Sequence, residues 1–181
     1  SFNIEELRQE ASDRKYYRIK ADNVSYVLAD NFDKTDQSAN FLYASKILKN
    51  SSVNVPEVLA FSEDLRFLLL QDLGDKSLDT DNEFKDEKIL EMALEQLSKI
   101  YFSDQDVLRS ATKESLLIQT NSFIDFCKEN KLSNDELKAL ENLRNNLVQN
   151  LLNQQFIPTH NDFERRNLMM FEENLFVIDF Q

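Results

Sequence analysis

The apolar positions change their period along the chain. KYYRIKA and SYVLADN are aromatic and β-branched runs separated by Asp22 and Asn23, a pattern that predicts a β-hairpin. VPEVLAFSEDLRFLLLQDL predicts two further strands around a Ser-Glu-Asp turn, with Leu68 to Leu70 as a continuous apolar run of the kind buried on both faces. Between these pairs, SANFLYASKILKN spaces Phe41, Leu42, Ala44, Ile47 and Leu48 as a helix does. The acidic, amphipathic NIEELRQE at the start reads as a short helix.

Past Gly74 the texture becomes helical. DEKILEMALEQLSKIYF places Ile89, Ala93, Leu97 and Ile100 on one stripe. KESLLIQTNSFIDFCKEN predicts a second helix. SNDELKALENLRNNLVQNLL predicts a third, with Leu137, Leu140, Leu147 and Leu151 along one face. Ser133 and Glu136 have the spacing of a capping box, and Asp135 adds a favourable charge in the first turn. Pro158 breaks the pattern, and NLMMF and LFVIDF close the chain as a hairpin around Glu-Glu-Asn. The expected organisation is α+β and two-lobed. Residues 1–72 form a β-rich lobe, and residues 73–181 form a mainly helical lobe that ends in a hairpin. Gln-Asp-Leu-Gly-Asp-Lys-Ser lies between them as a hinge, where a ligand cleft belongs.

Composition narrows the function. A formal net charge of −12 over 181 residues argues against a nucleic-acid partner, which needs basic surface, and against adhesion to anionic membranes. No apolar stretch approaches the ~20 residues of a membrane span. The first residues do not read as a signal peptide, so a cytoplasmic protein is expected. The single cysteine, Cys127, excludes an intrachain disulfide and reads as a core residue. The single glycine, Gly74, excludes a glycine-rich phosphate loop of the usual form.

The last stretch, THNDFERRNLMMFEENLFVIDFQ, carries the chemistry. Phosphoryl transfer needs positioned Mg²⁺, a carboxylate near the attacking hydroxyl and neutralised phosphates. Mg²⁺ takes hard oxygen ligands, one or two from protein carboxylates and the rest from phosphates and water. Asp162 and Asn167 lie five apart in a loop, and Asp179 follows twelve residues later at the end of a strand. A hairpin between Asn167 and Asp179 returns the chain, so the two can share a metal. Asp162 is then left to accept a proton.

HNDFERRN matches the kinase catalytic-loop form H-x-D-x-x-x-x-N, and IDFQ stands in the place of D-F-G. The H-x-D-F, N-L-M and I-D-F-Q variants resemble the aminoglycoside phosphotransferase and choline kinase superfamily. Within it, the chain most resembles the bacterial N-acetylmuramate/N-acetylglucosamine 1-kinases. ASDRKYYRI looks like that group's nucleotide-loop segment, and VPEVLAFSEDLRFLLLQDLGD like its hinge strands. The resemblance implies a two-lobed protein-kinase-like fold, with a helical lobe left incomplete at Gln181. It implies ATP and Mg²⁺ as cofactors, and a sugar, amino sugar or amino alcohol as acceptor.

Residue by residue, it implies that Asp162 is the catalytic base, that His160 supports the loop, and that Asn167 and Asp179 hold the metal. It places the backbone of Gln71, Asp72 and Leu73 on the adenine, and Ser12, Asp13 and Arg14 over the phosphates. Arg165 and Arg166 lie inside the catalytic loop, where either a phosphate contact or a surface ion pair is open. Where the kinase form V-A-I-K has its phosphate-binding lysine, this chain has Ala29 and Asp30. Asp30 must therefore point away, or a cation such as Arg18 or Lys20 must substitute. Gln119, Asn121 and Asp125 are polar candidates for the acceptor. A choline or aminoglycoside kinase, or a catalytically dead nucleotide- or partner-binding module, are the competing readings.

Overall fold

Five strands form one antiparallel sheet. β1 (Phe2–Glu6), β2 (Lys15–Ala21), β3 (Val24–Asp30), β4 (Val58–Phe61) and β5 (Phe67–Gln71) lie in the order β1-β2-β3-β5-β4. This computed structural model describes residues 2–7, 14–22, 24–32, 35–79, 86–104 and 112–180. The β2–β3 hairpin turns through Asp22, whose φ of 53° is in the left-handed region that Asp tolerates. The β4–β5 hairpin turns on Ser62, whose hydroxyl accepts from Phe67 N at 2.9 Å while Asp64 caps Arg66 N at 3.1 Å.

One helix, α1 (Thr35–Asn50), lies between β3 and β4 in sequence. Its Phe41 and Leu48 join Ala29, Leu68 and Leu70 of the sheet in a single buried cluster. The cluster continues through Leu78, through Ile89, Ala93 and Ile100 of α2 (Glu87–Tyr101), and into the final hairpin. That hairpin is β6 (Leu168–Phe171) with β7 (Asn174–Val177), and its Leu175 and Val177 are fully buried. Residues 1–107 and 158–181 make one compact unit.

Residues 108–157 make the second unit, built from α3 (Lys113–Gln119), α4 (Asn121–Glu129) and α5 (Asn134–Leu152). Ser133 caps α5 reciprocally with Glu136, as the sequence predicts. Cys127 is a buried free thiol of α4.

Several expectations are corrected. The first element is a strand, not a helix: Ile4 pairs with Ile19 across an edge ladder. A segment this short has too few turns to hold a helix by itself, whereas β2 offers it a ready row of hydrogen-bonding groups. Leu68 and Leu70 are buried but Leu69 is only half-buried, so β5 alternates. On α2 the buried stripe carries Gln96 where Leu97 was expected. The Gln96 amide oxygen accepts from Asn54 N at 2.8 Å, which satisfies a polar group inside the fold. The predicted second helix is two. Thr120 closes α3 by bonding its hydroxyl back to Leu117 O at 2.9 Å, and the chain restarts at Asn121. On α5 the buried residue is Val148, while Leu147 and Leu151 are exposed.

Leu68 is 1% exposed and lies between Ala29 of β3 and Phe61 of β4. Leu68→Ala should cost about 2–5 kcal/mol of stability. A urea midpoint shift worth under about 1 kcal/mol would contradict its place in this core.

Candidate active site

The β6–β7 hairpin is short and tightly registered, with Leu168 opposite Val177 and Phe171 opposite Asn174. Its two-residue turn is Glu172–Glu173, both at positive φ (47° and 63°), the backbone of a type I′ turn built without glycine. At the open end the ladder runs one step further, with Ile178 N donating to Asn167 O at 3.0 Å. Asn167 ends a single 3₁₀ turn, Arg165–Asn167, and Asp179 follows Ile178 directly. The two residues thus leave the hairpin at the same end. Asp179 itself has φ 58°, an unusual conformation for a side-chain-bearing residue and one that occurs at functional turns.

Asn167 is buried and its amide has a fixed orientation. Nδ2 donates to Asp162 O at 2.9 Å and to Asp162 Oδ2 at 3.0 Å. The amide nitrogen is therefore used on Asp162, and Oδ1 is the atom left for a cation. An amide oxygen and the Asp179 carboxylate are the hard donors that Mg²⁺ accepts alongside phosphate oxygens and water. Among the described residues, no three His, Cys, Asp or Glu side chains converge to make an all-protein metal cage.

The Asp162 carboxylate has a second donor on Oδ2, Arg166 at 3.3 Å. Arg166 also pairs with Glu164. Partial desolvation pushes the Asp162 carboxyl up, but the Arg166 and Asn167 bonds outweigh it and hold the group below the usual 3.8. Asp162 therefore stays ionised, suited to accept and orient a hydroxyl. His160 is buried, and its Nε2 lies 2.9 Å from Ile178 O. A ring nitrogen on a carbonyl must carry the proton, so His160 ties the loop to the hairpin as a donor. Arg165 donates to Leu78 O through Nε at 3.0 Å and NH2 at 2.7 Å. Leu78 N donates to Leu168 O at 2.9 Å and Met170 N to Lys76 O at 2.8 Å, so residues 76–78 run alongside β6. Phe180, next to Asp179, is buried and stacks on Phe41 of α1, centroids 4.9 Å apart.

The other predicted residues divide. Ser12 and Asp13 lie outside the described residues. Arg14 is buried, with its guanidinium 5.9 Å from the centroid of Phe41. Gln71 closes the β3–β5 ladder opposite Tyr26, so Asp72 and Leu73 leave the sheet immediately beyond it. Arg18 faces this hinge: Nε lies 2.7 Å from Asp72 Oδ2, NH1 lies 2.8 Å from Asp75 Oδ1, and NH2 donates to Gly74 O at 3.0 Å. Lys20 is exposed and 3.5 Å from Glu5. Asp30, where a lysine was sought, is buried and gripped by Arg66 through Nε at 2.9 Å and NH2 at 3.1 Å. In the second unit, Asn121 accepts from Arg144 at 3.0 Å and Asp125 pairs with Lys128 at 3.1 Å.

Arg66 as partner of Asp30, Arg165 as anchor of the loop, and Phe41 as the platform for Phe180 were not foreseen. The first follows from the β3–β5 register, which places Asp30 opposite Phe67 and so puts Arg66 at the end of the ladder.

A five-stranded sheet, a hinge, an H-x-D-x-x-x-x-N loop and a hairpin that returns an aspartate to that loop define a protein-kinase-like phosphotransferase fold. Residues 3–181 match the model of the phosphotransferase enzyme family, and the chain belongs to that family. It is 29% identical over 178 residues to the N-acetylmuramate/N-acetylglucosamine kinase of Pseudomonas aeruginosa, covering 95% of this chain and 53% of that protein. It is 27% identical over 191 residues to the kinase of the same name from Neisseria meningitidis, covering 99% and 57%. The chain thus spans about half the length of the curated relatives it matches. Among solved structures, the ADP-bound aminoglycoside phosphotransferase APH(2'')-Ib superposes with a TM-score of 0.66 at 21% identity, over 98% of this chain and 65% of that one. A Plasmodium vivax ethanolamine kinase gives 0.64 at 11% identity, over 99% and 56%. These two likenesses concern the fold.

The buried acids set an acid limit on stability. Arg66 holds the Asp30 carboxyl below 3.8. For Asp72, burial pushes up, but Arg18, Ser25 and the Gly74 backbone together outweigh it and the group also lies below 3.8. A depressed folded value means that the unfolded chain binds more protons in this window. The stabilisation is therefore complete above about pH 3.8 and is lost as pH falls through the lower folded values. Asp30→Asn should reduce stability near neutrality by about 1.5–3 kcal/mol and flatten this acid limb. Urea midpoints measured against pH check it, and an unchanged acid slope would contradict the Arg66–Asp30 account.

Proposed function

We infer that the chain is the ATP- and Mg²⁺-dependent catalytic part of a small-molecule kinase, and that its acceptor is a hydroxyl of an N-acetylated amino sugar. The observation that carries the reading is the Asn167 amide. It holds the Asp162 carboxylate by its side-chain nitrogen, while its backbone oxygen accepts from Ile178 N at the end of the hairpin from which Asp179 leaves. The acceptor class is taken from the N-acetylmuramate/N-acetylglucosamine kinases that the chain resembles.

In this reading residues 1–72 serve as the nucleotide lobe and residues 73–181 as the catalytic lobe. The peptide groups of Gln71 to Leu73, at the end of the β3–β5 ladder, meet the adenine. Arg14, one ring away from Phe180 through Phe41, is the cation that faces the phosphates in place of the missing lysine. Asn167 Oδ1 and the Asp179 carboxylate would hold Mg²⁺, which neutralises charge on the phosphates when bound. The acceptor hydroxyl donates its hydrogen bond to the Asp162 carboxylate, which orients the oxygen toward the γ-phosphorus and takes up the proton. The new P–O bond forms as the bond to ADP breaks. A strongly basic group is not needed, because the transition state is loose and carries little demand for early deprotonation. His160 and Arg165 keep the loop in place.

Asp162→Asn should reduce turnover by about 10²–10⁴-fold while ATP still binds. The assay is ADP release by the complete protein with N-acetylmuramate, N-acetylglucosamine, choline and an aminoglycoside in turn. Release with an N-acetyl amino sugar that disappears in the variant is the expected result. Undiminished release in Asp162→Asn would overturn the role of Asp162, and release with choline or the aminoglycoside alone would overturn the acceptor.

A further inference from the structure

Arg18 of β2 and Arg14, just ahead of that strand, are both buried, and the contacts of Arg18 are with the hinge. Arg14, Tyr16 and Arg18 alternate onto one face of the strand region. Arg14 turns to Tyr16, donating to its hydroxyl at 3.2 Å, and to the ring of Phe41. Arg18 turns to the hinge. Its NH2 donates to Asp72 Oδ1 at 3.1 Å and to Gly74 O at 3.0 Å, its NH1 donates to Asp75 Oδ2 at 3.0 Å, and its Nε is 2.7 Å from Asp72 Oδ2. A planar fork with five fixed donors is suited to hold two carboxylates and a carbonyl in one geometry. With both carboxylates counted, the cluster is net negative, which disfavours a phosphate beside it.

The same contacts shape the hinge backbone. Asp72 Oδ1 also accepts from Gly74 N at 2.9 Å, closing a local turn, and Gly74 sits at φ 74°. Nothing lies within 4 Å of where a Cβ on Gly74 would stand. The turn therefore needs glycine for its backbone angle and not for room. Asp72 and Gly74 bracket Leu73, and both are held by Arg18.

The geometry points to Arg18 as the positioning residue of the hinge: it fixes the peptide groups that receive the base of the nucleotide, and it is not a phosphate-binding cation. The inference rests on the nucleotide reading given above and assigns its two arginines opposite tasks. Arg18 governs recognition of the nucleoside, and Arg14 governs recognition of the phosphates.

Two probes separate these tasks, because adenosine has no phosphates and tripolyphosphate has no base. Their affinities are measured by calorimetry on the intact protein, wild type against Arg18→Met, Arg18→Lys, Asp75→Asn and Arg14→Met. Arg18→Met should weaken adenosine by about tenfold or more and leave tripolyphosphate within about twofold. Arg18→Lys keeps the charge but loses the fork, so it should behave like Arg18→Met. A phosphate-binding role would instead let lysine rescue tripolyphosphate affinity. Asp75→Asn changes a carboxylate whose side chain is 80% exposed, so folding should be retained and adenosine should weaken alone. It carries the test if the Arg18 variants do not fold. Arg14→Met should show the reverse pattern. Loss of tripolyphosphate affinity in the Arg18 variants, or equal loss of both probes in Asp75→Asn, would overturn the inference. Wild-type protein that binds tripolyphosphate but not adenosine would overturn the hinge assignment and the inference with it. Wild-type protein that binds neither would instead overturn the nucleotide reading.

Discussion

Asn167 holds the site together through both of its polar systems. Its backbone oxygen accepts from Ile178 N, which continues the hairpin ladder, and its side-chain nitrogen donates to the carboxylate and carbonyl of Asp162. One residue therefore connects the strand that delivers Asp179 to the loop that carries Asp162. Burial makes the connection rigid, since an amide removed from water keeps partners that it could exchange on a surface. His160 on Ile178 O and Arg165 on Leu78 O repeat the device on either side. The loop is pinned by polar side chains at three points and needs no long secondary element of its own.

A chain of net charge −12 that handles phosphates must place its cations with care. Among the described arginines, Arg66 pairs with Asp30 and Arg18 with Asp72 of the hinge. Arg165 holds a carbonyl, and Arg166 lies between Asp162 and Glu164. Each of these guanidiniums does local structural work, and Arg66, Arg18 and Arg166 each pair with a carboxylate. The aspartate that stands where a lysine was sought is thus no electrostatic contradiction. Its charge is balanced by Arg66, which directly precedes β5.

The sheet, the helix between its hairpins and the closing hairpin were legible because each is a strongly patterned run bounded by turn residues. That Asn167 and Asp179 leave the closing hairpin at one end was legible because their spacing is tied to a loop and a hairpin. What was not legible came from tertiary context. Short Phe2–Glu6 becomes a strand because β2 has an edge to offer, which no local pattern records. Gln96 displaces Leu97 from the buried stripe because Asn54 N needs an acceptor there. The different surroundings of Arg14 and Arg18 could not be read from the sequence, since both are basic and lie four apart on one alternating face. Only the partners that surround each of them distinguish the two.

In the proposed function Asn167 and Asp179 form a metal site completed by a bound nucleotide. Its most direct test is Mn²⁺ uptake, followed by electron paramagnetic resonance, with and without a non-hydrolysable ATP analogue. The account predicts tight Mn²⁺ binding only when the nucleotide is present, lost in Asp179→Ala and weakened in Asn167→Ala. Nucleotide-independent uptake, or nucleotide-dependent uptake that survives in both variants, would contradict it.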